Sequence, residues 1–355
     1  MLYVRGQNVL AAPFDLERLE ITGPAVPVVS DVRVDVSWSA EFGVSERGEL
    51  VYVTASSAAR RRHLVLTDGQ GDERRLRVDA YDTVRVSPGG DRFAVRPLQG
   101  INEAWVYDLP RGTMTRLTFS GDAHHPSWTP DGRKIVYSAS LDGVHNMFWI
   151  AADGSIDAER LTSSPNHQMP GSVSPDGKWL AYTEMTDDAE GWDIRVLPLE
   201  GPRESRRFLT TNANEHSPMF SPDGSWLAYV SDESGQSAVY VQPFPGPGPK
   251  TRISAAGGSE PVWAPDGREL HYLSTDGTIM SVELHYDRGF RADAAEVRIP
   301  GTTVVSLNLD GNGYDVMPDG TFVAIRDDAS NRDHVEIRFV VNWFEELKRL
   351  APTKN

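Results

Sequence analysis

The chain has no cysteine, so disulfides and thiolate metal sites are excluded and the redox compartment is left unmarked. It has no apolar run approaching the ~20 residues of a membrane-spanning helix. Its opening, Met1-Leu2-Tyr3-Val4-Arg5-Gly6-Gln7-Asn8, lacks the basic start and apolar core of a secretory signal. As it stands the chain is expected to be soluble. Positive charge is scarce: 35 Lys and Arg face 51 Asp and Glu, a formal charge of −16. Phosphate backbones and anionic lipid surfaces need clustered cations, so neither nucleic acid nor membrane insertion is expected. The one basic cluster, Arg60-Arg61-Arg62 with Arg74, Arg75 and Arg77 nearby, reads as a solvated strand edge. Hydrophobic residues, 39% of the chain, are ample for a core.

What the chain has in quantity is one short string. Pro-Asp-Gly occurs at Pro130-Asp131-Gly132, Pro175-Asp176-Gly177, Pro222-Asp223-Gly224, Pro265-Asp266-Gly267 and Pro318-Asp319-Gly320, each time between two short apolar runs. Pro88-Gly89-Gly90 and Glu46-Arg47-Gly48 are degenerate copies, and the seven glycines are spaced 42, 42, 45, 47, 43 and 53 residues apart. A period of about 40–50 residues holding several short strands is the signature of β-propeller blades.

The unit around Gly224 shows the pattern. Ser217–Ser221, Trp226–Val230, Ala238–Gln242 and Thr251–Ser254 read as four antiparallel strands, with Pro222-Asp223-Gly224-Ser225 as the first turn. Proline fixes φ at the bend, the aspartate accepts backbone N–H groups and glycine takes the φ > 0 position, so the five turn aspartates read as structural. Two residues before each turn proline, or its equivalent, stand Val44, Val86, Trp128, Val173, Phe220, Trp263 and Val316, an apolar column expected between blades.

The expected fold is therefore all-β, a single propeller of four-stranded antiparallel blades over residues 1–355. Residues 1–36 form an N-terminal hairpin and ring-closing strand, 37–341 the blades and 342–355 a tail. Seven blades are preferred, with Val26–Val29 completing a last blade that ends in Val335–Val340; eight blades, or six plus extra strands, are the alternatives. In the tail, Trp343–Leu350 suggests a short helix packing through Phe344, Leu347 and Leu350.

The Pro-Asp-Gly repeat with Leu227-Ala228-Tyr229-Val230-Ser231-Asp232-Glu233-Ser234-Gly235 after it resembles the TolB-like propeller repeat, over roughly residues 37–341. More narrowly, Tyr240-Val241-Gln242-Pro243-Phe244-Pro245-Gly246, Asp276-Gly277-Thr278-Ile279-Met280 and Asn342-Trp343-Phe344-Glu345-Glu346-Leu347-Lys348-Arg349 resemble the C-terminal propeller regions of bacterial transmembrane serine/threonine kinases. That resemblance implies an extracytoplasmic sensor or interaction module. No kinase Gly-rich or His-Arg-Asp loop and no Gly-x-Ser-x-Gly elbow occurs, so neither kinase nor peptidase activity is carried over.

Chemistry is expected at a channel mouth, where the first strand of every blade begins. Six residues before the turn proline or its equivalent stand Ala40, Asp82, His124, Met169, His216, Ser259 and Asn312, with His125, His167, Gln168, Glu215 and Glu260 close by. Asp82, His124, His216, Ser259, Asn312 and Glu260 are the candidate ligand-binding residues, for a peptide, glycan or protein partner of a monomeric, non-catalytic module. The alternative is a divalent metal held by His124, His167, His216 and Gln168 in a metal-dependent lyase or hydrolase; otherwise no cofactor is expected, and no catalytic residue is assigned. The acidic strings Asp187–Gly191, Asp232–Gly235 and Asp310–Gly313 read as solvated loops without calcium-loop spacing.

Overall fold

The computed structural model describes residues 1–5, 8–33, 40–54, 62–68, 73–77, 81–97, 102–119, 122–140, 143–186, 191–209, 211–246, 248–287, 289–300, 304, 312–327 and 337–350. The chain divides into two compact units, Met1–Arg60 with Ala329–Asn355, and Arg61–Asp328.

In Arg61–Asp328 the described residues form six antiparallel sheets. Their first strands are Tyr81–Val86, Ala123–Trp128, Gln168–Val173, Glu215–Phe220, Ser259–Trp263 and Tyr314–Val316. Each touches the next in chain order, and Tyr314–Val316 touches Tyr81–Val86, so the six make a closed cycle around a central channel. Four sheets are four-stranded runs of consecutive strands; the one opening at Ser259 carries both Arg291–Ala292 and Glu296–Ile299 against its third strand, Ile279–His285. The last is assembled from two distant stretches: Tyr314–Val316 and Phe322–Asp327 pair with Arg62–Thr67 and Glu73–Arg77.

The closing strand therefore differs from the expected one. Val26–Val29 pairs with Asn8–Ala11, and Ile337–Val340 pairs with Leu50–Val53. The physical reason lies in burial. A third blade strand is covered on both faces, and Arg62–Thr67 is buried along its whole length, whereas three of the four residues of Ile337–Val340 are exposed. Arg62 belongs to this interior strand, with Nη1 3.4 Å from the carbonyl of Tyr81, instead of a solvated edge; Arg74 and Arg75 are exposed, and Arg60 and Arg61 lie outside the described residues.

The turns form as their residue types require. In all five Pro-Asp-Gly copies the aspartate Oδ1 accepts the N–H two residues on, from Arg133, Lys178, Ser225, Arg268 and Thr321, at 2.9–3.1 Å. In three of them a hydroxyl just before the proline, from Thr129, Ser174 or Ser221, donates to the same carboxylate. Gly224 sits at φ 73°, a conformation side chains disfavour. The apolar column packs each blade on the one before: Trp128 against Ala94 and Val106, Phe220 against Ala181 and Ile194, and Trp263 against Ala228 and Val230.

The other unit holds the sheet of Leu2–Arg5, Asn8–Ala11 and Val26–Val29, and that of Phe42–Val44, Leu50–Val53 and Ile337–Val340. Its core gathers Val9, Val29, Val32, Leu50, Tyr52 and Trp343. The helix Trp343–Leu350 is present; Trp343 is its buried anchor and Leu347 packs against the same core as expected, while Phe344 is 40% exposed.

Candidate functional site

Each of five inner strands slips register near its start, between Tyr81 and Thr83, His124 and Ser127, Pro170 and Ser172, His216 and Met219, and Ser259 and Val262. These are β-bulges, which re-aim side chains at the rim of a closed sheet. In three of them a non-glycine residue takes positive φ: His125 at 52°, Ser217 at 55° and Glu260 at 52°. The blades also come very close here. A Cβ on Gly171 would lie 2.2 Å from the carbonyl oxygen of Pro218, so that position admits only glycine.

The channel inside this ring is narrow, ≈ 40 Å³, and is lined by Thr83, Arg85, His125, Met169, His216, Ser217, Met219 and Asn312 among others. Of the expected candidates, His216 and Asn312 line it. His216 faces the Ser217 hydroxyl at 2.9 Å, and its burial pulls its pKa down to about 4. Asn312 is tied to the first inner strand: its N–H donates to Thr83 Oγ1 at 3.2 Å and its carbonyl accepts from Val84 N–H at 3.0 Å. His125 is half-buried in the lining, and burial lowers its pKa well below the ordinary value.

The other candidates do different work. Asp82 is buried and pairs with Arg96, Nε to Oδ1 at 2.7 Å and Nη2 to Oδ2 at 2.5 Å. Glu260 is fully buried and braces the next blade, accepting the Gly313 N–H at 2.7 Å while its carbonyl accepts the Tyr314 hydroxyl at 2.9 Å. Ser259 is buried at its strand start. Gln168 donates to Glu184 at 3.0 Å and accepts from Thr162.

His124 turns away from the channel into a polar cluster that sequence spacing did not reveal. Its Nε2 lies 3.0 Å from Asp122 Oδ1 and 3.3 Å from the Asn102 amide, and Arg96 contacts its Nδ1. His145 Nε2 lies 3.3 Å from Asp122 Oδ2, and His145 Nδ1 lies 3.1 Å from His167 Nδ1. Burial pushes the Asp122 carboxyl up, but hydrogen bonds from His124 and His145 outweigh it and hold the group well below its ordinary range. The cluster joins His124 and His167 through Asp122 and His145, and neither His216 nor Gln168 belongs to it. Ser217, Thr83 and Arg85 in the channel also escaped the sequence reading; Thr83 and Arg85 stand at alternate positions of one inner strand, which was the available signal. Asp232 caps Asn214, accepting its N–H and side-chain amide; Asp187–Glu190, Asp310 and Gly311 lie outside the described residues.

At the turn end the channel widens into a funnel of ≈ 360 Å³. Its wall is the apolar column, including Trp128, Phe220 and Trp263, and one turn proline from each of the six sheets rims it. Among the described residues, no helix is long and apolar enough to cross a membrane.

No protein-family profile matches the chain. Over 161 residues it is 29% identical to the Tol-Pal system protein TolB of Francisella tularensis subsp. tularensis, a match covering 43% of this chain and 36% of that protein. The chain thus spans little more than a third of that relative. Among solved structures it is similar to one assigned as TolB from Agrobacterium tumefaciens, with TM-score 0.61 and 19% identity over 76% of this chain and 99% of that one. It is also similar to TolB from Acinetobacter baumannii, with TM-score 0.52 and 17% identity over 79% of this chain and 65% of that one. At these identities the structural likeness establishes the propeller fold.

Proposed function

We propose that this TolB-like propeller is a non-catalytic protein-binding module, and that it engages an extended peptide segment of its partner at the channel mouth around His125, His216, Ser217 and Asn312. The observation that carries the reading is the convergence of hydrogen-bonding side chains from three different sheets on one constricted opening. A channel of ≈ 40 Å³ has room for a few waters and not for a threaded chain, so a partner would lie across the mouth. The relatives named for the Tol-Pal system support a protein as the partner class.

The same residues argue against catalysis. His216 and Ser217 form a hydroxyl–imidazole pair at 2.9 Å, yet a histidine with pKa about 4 is a weak base near neutrality. The test is to pan a random linear-peptide library on the purified protein and measure the enriched peptides against variants. Binding that falls with His216→Ala and Asn312→Ala supports the mouth. Enriched peptides indifferent to both changes, but lost on Trp263→Phe in the funnel, would move the binding surface to the other end.

A further inference from the structure

Asp122, His124 and His145 meet on one side of a single sheet. Asp122 precedes the first strand, His124 lies in it, and His145 opens the third strand opposite Ser140. One ligand atom from each lies within 4.8 Å of the others, and the rings of His124 and His145 stand at 86° to one another. The contacts to Asp122 Oδ1, 3.0 Å from His124 Nε2 and 3.4 Å from His145 Nε2, lie near the ligand-to-ligand edge of about 3.3 Å in a tetrahedron with metal bonds of roughly 2.0–2.1 Å.

The surroundings of His145 point the same way. His167 Nδ1 accepts the backbone N–H of His145 at 3.2 Å, so it has no proton of its own to offer. It also lies 3.1 Å from His145 Nδ1. At its other nitrogen, Nε2, His145 hydrogen-bonds the Asp122 carboxylate at 3.3 Å. His167 plays the part that an outer acceptor plays behind a metal-bound histidine, fixing tautomer and ring orientation.

We propose that Asp122, His124 and His145 bind one divalent transition ion of the zinc class, with His167 orienting His145. The acidic oxygen and two imidazole nitrogens suit zinc, cobalt or nickel and leave a coordination position open. Arg96 opposes loading. Its guanidinium donates to His124 Nδ1, which leaves the histidine proton on Nε2, the atom facing Asp122. Binding moves that proton to Nδ1 and turns Arg96 back on Asp82, which it already grips through Nε at 2.7 Å. The site is thus restrained, and its affinity is expected to be micromolar.

The experiment uses tag-free protein, stripped with chelator and dialysed, then titrated with Co²⁺ and back-titrated with Zn²⁺. The expected result is one Co²⁺ per chain with visible d–d absorption, displaced by Zn²⁺. Asp122→Asn, which keeps the side-chain shape, and His145→Ala should each weaken binding about 100-fold, and His167→Ala about tenfold. His285→Ala, at a half-buried histidine paired with Asp293, should change nothing. Arg96→Gln, whose amide oxygen can accept an Nδ1 proton, should tighten binding about tenfold, an effect that general damage to the fold would not produce. Wild-type protein that fails to saturate with Co²⁺, or binding that survives both Asp122→Asn and His145→Ala, overturns the proposal.

Discussion

The indole N–H of Trp128 donates to the backbone carbonyl of Arg85, 2.9 Å away on the preceding blade. Trp263 does the same to Met219 at 3.0 Å. Elsewhere the seam is tied from the other side: Ser172 Oγ accepts the Phe220 N–H at 2.8 Å, and Asp315 Oδ2 accepts the Val86 N–H at 2.8 Å. At these four of the six seams, the residues at levels two and three before the turn proline thus form an inter-blade latch, either tryptophan to carbonyl or polar side chain to amide. Both versions satisfy a backbone group that the blade's own ladder leaves open.

Two grades of loss are expected at Trp263. Trp263→Ala removes a side chain only 4% exposed and should cost about 3–5 kcal/mol in denaturant unfolding. Trp263→Phe keeps most of the packing and loses the hydrogen bond, for about 1–2 kcal/mol. A negligible cost for Trp263→Phe beside the full cost for Trp263→Ala would show that the latch contributes nothing beyond area.

The seam at Asp315 joins the last blade to the first. Asp315 holds the N–H of Val86 and its own neighbour Val316, and lies 4.0 Å from the buried guanidinium of Arg85. Asp315→Ala should cost about 3–5 kcal/mol, because it strands a buried cation as well as an amide. Hydrogen exchange should then show the Tyr81–Val86 strand opening faster than Gln168–Val173, which keeps its own latch. Uniform acceleration would mean the closure is no weaker than any other seam.

At the turns, Asp223→Ala removes the acceptor for Ser225 N–H and Ser221 Oγ and should cost about 0.5–2 kcal/mol, by analogy with a helix cap. Gly224→Val forces a β-branched residue to φ near 73° and should cost more. Neither change should alter peptide affinity at the mouth. A binding loss with Asp223→Ala at unchanged stability would contradict the structural reading of all five aspartates.

Glu215 supplies the pH dependence. It is fully buried, its Oε2 has no hydrogen-bond partner among the described residues, and burial pushes its carboxyl from 4.5 up to about 7 against the opposing hydrogen bond from Thr211. The folded protein therefore binds this proton more tightly than the unfolded chain. The resulting stability is complete below about pH 4.5 and is lost as pH rises through 7. Glu215→Gln should leave stability nearly unchanged at pH 4 and raise it by about 3 kcal/mol at pH 8. A substitution effect independent of pH would place the carboxylate in contact with water.

The turns, the apolar column and the propeller class were legible because each is a local rule repeated: Pro-Asp-Gly forces the same bend wherever it stands, and period-two alternation puts Trp128, Phe220 and Trp263 on the same side. Closure was not legible. It pairs Phe322–Asp327 with Arg62–Thr67, and no local pattern chooses that partner over Val26–Val29. The mouth was half legible, because counting back from the proline crosses a bulge and a one-residue slip exchanges the two faces of a strand. At one bulge His124 is held outward by Asp122, Asn102 and Arg96 while His125 lines the channel; in the equivalent bulge His216 pairs with Ser217 and lines it.

The contrast between those two histidines is the most direct test of the account. Both stand six residues before a turn proline, and sequence alone treats them alike. Using a peptide enriched on the wild-type protein, affinity should fall at least tenfold with His216→Ala and also with His125→Ala, and the two losses should combine non-additively if both side chains touch the ligand. His124→Ala should leave affinity unchanged. Peptide affinity that falls with His124→Ala and ignores His216→Ala would contradict a binding site at the channel mouth.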